Sequence, residues 1–219
     1  MARYLFRSVL LLFMLNLLVK PIWIFGIDRK IQVLSGYDAY GLYFSYLNFA
    51  VIFNILADAG ITIYVQQHIA SNQIISARWL KKMVQYKLLL SVFYAVVTIL
   101  VAFFLELDHY LLLGSLIVLQ VLLSWLSFSR AVLSARQQFV PSSFLSVLDK
   151  LLLIIPGMFL LYVYCANCNW SILSFIFWQI IAVCIALLLA FYWLFKELKT
   201  AIGEETAYSF HHISRIANF

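Results

Sequence analysis

The sequence predicts an all-α membrane protein that crosses the bilayer six times. Three observations carry that expectation. Of 219 residues, 65% are apolar and 11% are charged, far from the balance of an ordinary soluble domain. The apolar runs are long and uniform, so they read as helices and not as the short alternating segments of a barrel. The net charge of +6 is spread over short connectors, where Lys and Arg set orientation in a bilayer. No soluble segment combines dense basic charge with interleaved aromatics, so the lipid bilayer and no nucleic acid is the expected partner. Residues 1–195 are expected to form one six-helix transmembrane lobe, and 196–219 a polar tail.

The first helix runs from about Leu5 to Phe25. Arg3, Arg7 and the apolar core Val9 to Val19 imitate a signal peptide, but Lys20-Pro21 stands where a small-x-small cleavage site would be. The apolar character then resumes, so the helix is expected to be retained and bent near Pro21. Arg7 and Lys20 can snorkel towards the two faces. A polar connector, Gly26 to Ala39, carries Asp28, Arg29, Lys30 and Asp38.

The second helix, Tyr40 to Val65, is the apolar core of the stretch Gly36 to Gln67 that organises the chain. It is long enough to cross a hydrocarbon core of roughly 30 Å. Asn54, Asp58, Thr62 and, just past its end, Gln66 recur every fourth residue and form one polar stripe. Asp58 is the only acid there. An isolated carboxylate at such depth costs on the order of 2.5–3.5 kcal/mol on insertion scales, and is by default a functional-site candidate. The alternative is that it lies near the helix end, reaches headgroup water and helps two helices pack.

After a connector with Arg78, Lys81 and Lys82, the third helix spans about Met83 to Leu105. Lys87 lies near its edge, and much of its surface is expected to face lipid. Glu106, Asp108 and His109 form a short acidic turn. In the fourth helix, Tyr110 to Leu133, the residues Gln120, Ser124, Ser127, Arg130 and Ser134 fall on one arc at steps of three and four, suited to close helix packing. Pro141 opens the fifth helix, which reaches about Tyr164 and loosens at Pro156-Gly157. Asp149 and Lys150 are adjacent in it, so they are not expected to face one another. The sixth helix covers about Trp170 to Phe195, with Gln179 as its polar interior group. With the N-terminus inside, the basic residues concentrate on one side, which places both termini in the cytoplasm.

Cys165 and Cys168 form a lone C-x-x-C in a connector, and Cys184 is isolated. No second pair completes a zinc site, and no βαβ setting suggests thioredoxin chemistry. No metal and no cofactor is therefore expected. No nucleophile–base pair or phosphate-cradling glycine loop suggests an enzyme.

Four segments in order carry a resemblance: Lys20 to Phe25, the GYDAYGLY stretch Gly36 to Tyr43, LADAGI at Leu56 to Ile61, and HIASN at His68 to Asn72. Together they resemble the start of bacterial polysaccharide biosynthesis transporters. These are the O-antigen and lipid-linked oligosaccharide flippases of the multidrug/oligosaccharidyl-lipid/polysaccharide exporter superfamily. The resemblance is best over residues 1 to 82. It implies an undecaprenyl-pyrophosphate-linked glycan as substrate, moved across the bacterial inner membrane between two six-helix lobes that rock about a hydrophilic cavity. Asp58, with Asn54, Thr62 and Asp149, would belong to the substrate or ion pathway, and Arg7, Arg130 and Lys150 would be its cations. Members of the family have about twelve to fourteen helices, so six correspond to half a transporter, a truncated form or one lobe that pairs with a second chain or a second copy. Two other readings remain open: a scaffold or accessory subunit without transport of its own, and a multidrug antiporter lobe. The latter commonly uses an acid in its first helix, which Leu5 to Phe25 lacks.

Overall fold

The computed structural model describes residues 14, 17–71, 77–159 and 171–216, with 77, 156, 159 and 196–216 described by backbone alone. Every regular element among the described residues is helical. A π-helical segment, Ile22–Asp28, leads into α1 (Arg29–Ser35). Then follow α2 (Tyr37–Asp58), α3 (Ile61–Ser71), α4 (Ala77–Phe104), α5 (Tyr110–Ala135), α6 (Phe139–Phe159) and α7 (Ile172–Ile216).

Four described helices are long and apolar enough to cross a membrane: Tyr37–Asp58, Arg78–Phe104, Tyr110–Ala135 and Ile172–Phe195. The predicted first and fifth spans fall partly outside the described residues. The predicted tail begins inside α7, whose backbone stays helical to Ile216.

α5 is the hub. It packs against α2, α3, α4, α6 and α7, which explains why it is the most buried of the four spans. Its Leu113, Leu116, Ser129 and Leu133 are almost fully enclosed. At the other extreme, α4 exposes Leu88, Leu89, Val92, Phe93 and Val96 along its outer side. Its enclosed side is Lys87, Ser91, Tyr94, Thr98 and Ala102, at spacings of four, three, four and four. That helix is therefore apolar outside and polar inside. Such inversion is what a lipid solvent selects, because polar groups find partners only within the bundle.

Two expectations change. The second predicted helix is broken: Ala59 and Gly60 take left-handed conformations (φ 42° and 80°) between α2 and α3. Hydrophobic periodicity does not register such a break, because neither residue interrupts the apolar run. The connector Gly26 to Ala39 is largely helical, since Ile27 and Ile31 bury one side of the π segment and α1. Gly36, at φ 87°, ends α1 and opens α2. The helix α6 includes Gly157. A Cβ there would come within 3.2 Å of the Ile27 side chain, so the missing side chain lets the π segment lie against α6.

Candidate functional site

The site is built where α2 ends. The backbone ladder closes with the Ala59 N–H donating to the Ile55 carbonyl (2.8 Å) and resumes with the Tyr64 N–H donating to the Gly60 carbonyl (3.0 Å). A helix end releases its last carbonyls and carries partial negative charge, which favours a cation. Lys87 of α4 supplies one. Its ammonium donates to Asp58 Oδ1 at 2.6 Å and to Ser124 Oγ of α5 at 2.7 Å. Thr62, the second residue of α3, donates its hydroxyl to the same Asp58 oxygen. Three elements thus meet at one carboxylate, and α5 joins them through Lys87.

The two partners are unequally enclosed. The Lys87 side chain has no exposed surface, whereas 35% of the Asp58 side chain is exposed. Lys87 lies nine residues inside the span that begins at Arg78, roughly 14 Å along the helix axis at 1.5 Å per residue. The ion pair holds Asp58 at a similar depth. The pair is fastened from behind by a polar seam. Ser91 donates to the Lys87 carbonyl (2.8 Å), and the Trp125 indole N–H donates to Ser91 (3.2 Å). The Tyr94 hydroxyl donates to the Ala50 carbonyl (3.0 Å), and Thr98 to the Tyr94 carbonyl (2.7 Å). One turn back along α2, Asn54 donates to Gln120 of α5 at 3.4 Å, and its own amide oxygen is buried without a hydrogen-bond partner.

Asn54, Asp58 and Thr62 are therefore brought together, although on two helices and not on one. Gln66, the fourth member of the predicted stripe, is exposed. The predicted arc on α5 divides. Gln120 and Ser124 serve the Asp58 site, Ser127 is exposed, and Arg130 turns towards α6. Residues 124 and 130 lie about 120° apart on a helix, which is too wide for one interface.

Arg130, Asp149 and Lys150 make a second cluster. Asp149 is buried within electrostatic reach of Arg130, whose Nε is buried without a hydrogen-bond partner. Ser142 of α6 donates to the Arg130 carbonyl at 3.2 Å. Lys150 corrects the expectation of non-facing neighbours: its Nζ reaches back to Asp149 Oδ2 at 3.5 Å, because four methylenes span what the backbone geometry separates. The same ammonium lies 5.0 Å from the centre of the Trp23 ring, which stacks on Phe175. In the π segment, Asp28 accepts a hydrogen bond from the Tyr40 hydroxyl at 2.8 Å. Burial pushes the Asp28 carboxyl above the usual carboxylate range, against the pull of Tyr40 and of the Lys150 charge. No hydrogen bond or ion pair links this cluster to the Asp58 site among the described residues. Arg7, Cys165 and Cys168 lie outside the described residues.

Lys87 is the site residue that sequence reasoning missed. The signal was present: polar groups at 87, 91, 94 and 98 mark one face of an otherwise apolar helix. A separate pocket of about 500 Å³ opens where α1 ends and α5 and α7 begin, lined by Ser35, Leu42, Asp108, His109, Ser171 and Ile172 among others. It touches neither cluster's charged residues.

Fold and site together define a helical membrane protein with an ion pair inside its bundle, placed at an interrupted helix. Comparison of the chain with protein-family models, with curated proteins and with solved structures finds no match.

Proposed function

We propose that the chain is one lobe of a transporter that moves a lipid-linked oligosaccharide, of the undecaprenyl-pyrophosphate class, across a bacterial inner membrane. Both termini then lie in the cytoplasm, and the lobe works against a second six-helix lobe or a second copy of itself. The observation that carries the reading is the asymmetry of the Asp58–Lys87 pair. A carboxylate at bilayer depth with a third of its side chain uncovered is costly against acyl chains and tolerable against water or an opposing polar lobe. Broken helices whose ends hold charge near mid-bilayer are a recurring device of secondary transporters. The four segments named above supply the substrate class.

The test is export of surface glycan in cells that depend on this chain. Asp58→Asn is expected to abolish export, while Ser45→Ala, on the exposed face of α2, leaves it near the wild-type level. Undiminished export by Asp58→Asn chains inserted at normal amounts would remove the site from transport. Recovery of no second membrane chain or second copy after crosslinking would count against the two-lobe assembly.

A further inference from the structure

Lys87 has an unusual set of partners for a lysine within a membrane span. Its ammonium is fully enclosed, and its hydrogen bonds go to oxygens: the Asp58 carboxylate and the Ser124 hydroxyl. Thr62 adds a hydroxyl to the same carboxylate. A carboxylate and two hydroxyls beside an interrupted helix are oxygen ligands of the kind that suit a dissolved alkali cation in a transporter. One acid only is present, which suits one positive charge. A divalent ion calls for more carboxylates, and no cluster of three acidic, histidine or cysteine ligands exists among the described residues.

We propose that Asp58, Thr62 and Ser124, gathered at the broken end of α2, form a monovalent-cation site whose resident cation is the tethered ammonium of Lys87. The protein carries its counter-cation covalently, so the wild-type site takes no Na⁺ or K⁺ from solution. Removing the ammonium while keeping the oxygens turns it into an alkali-cation site. The inference stands whatever the lobe transports.

The test is thermal unfolding of the full chain in lipid nanodiscs, in NaCl, KCl or choline chloride at equal ionic strength. Wild-type protein is expected to melt at the same temperature in all three. Lys87→Ala is expected to melt lower in choline chloride and to regain about 4 °C or more, saturably, in NaCl or KCl. Adding Asp58→Asn to Lys87→Ala abolishes that gain. Lys87→Ser, which contributes an oxygen of its own, repeats the measurement if Lys87→Ala does not fold. A saturable, Asp58-dependent response of the wild type to Na⁺ or K⁺ would overturn the proposal. So would the absence of any alkali-specific gain in both Lys87 variants. Glycan export does not enter the readout, so failure here and failure of the transport reading are separate results.

Discussion

A carboxylate and an ammonium 2.6 Å apart do not depend on each other equally when one is enclosed and the other reaches an opening. Asp58→Asn strands a charge with no route to solvent, and breaking an enclosed pair in this way costs about 3–5 kcal/mol. Lys87→Met removes the enclosed charge and leaves Asp58 its uncovered side, so its cost should be less than half as large. Chemical or thermal unfolding of the two variants in one detergent checks the order, and a reversed order would show that Asp58 is the more enclosed partner. Asp28 offers a test in pH. Its folded carboxyl binds a proton more tightly than the unfolded one, because burial penalises the anion. The associated stabilisation is complete below the ordinary carboxylate range and is lost as pH rises through the raised value. The wild type should therefore lose more melting temperature than Asp28→Asn between about pH 4 and pH 7. At this scale the sequence announced Asp58, since one acid in a long apolar run must find either headgroup water or a polar partner. It hid Lys87, because a lysine ten residues into α4 looks like an interfacial anchor until its polar neighbours at 91, 94 and 98 are read as one face.

Among elements, the break between α2 and α3 decides where the charges meet. Gly60 sits at φ 80° with nothing within 4 Å of where a Cβ would stand. Gly60→Ala thus isolates the backbone cost, about 1–2 kcal/mol for a left-handed L-residue. Ala59, at φ 42°, already bears such a cost, and Ala59→Gly should stabilise by about 0.5 kcal/mol. Opposite shifts in unfolding midpoint from two neighbouring substitutions would identify the break as a built feature. Equal shifts of one sign would mean that the ladder runs straight through it. Helix type and approximate extent were legible from apolar length alone. The break was not, because a left-handed alanine beside a glycine leaves hydropathy unchanged. The helical run Gly26 to Ser35 was missed for the converse reason. Its charges suggest a loop, while the anchoring pair Ile27 and Ile31 is only two residues.

For the whole molecule, the turn at Glu106 to His109 and the turn at Arg136 to Gln138 lie at opposite ends of α5. If that helix spans the bilayer with cytoplasmic termini, then in a chain with Cys165, Cys168 and Cys184 replaced by Ser, Asp108→Cys is labelled by an impermeant maleimide added outside intact cells, and Gln137→Cys only after permeabilisation. The reverse pattern would invert the orientation drawn from the basic residues. The stacking order of the helices could not be read from the chain, because in lipid every apolar face is at home outside. What distinguishes one face from another is the polar seam, which runs along α4 and reaches α2 and α5.

The spacing of that seam along the chain bears on how the protein is made. Asp58 and Lys87 are 29 residues apart, with α3 between their helices. A nascent segment of that length can leave the ribosome and enter the bilayer as a single body, its acid and base already neutralising each other. Neither charge has to cross the insertion machinery bare, and moving either one to a distant helix should lower the yield of inserted chain even where the finished contact can still form.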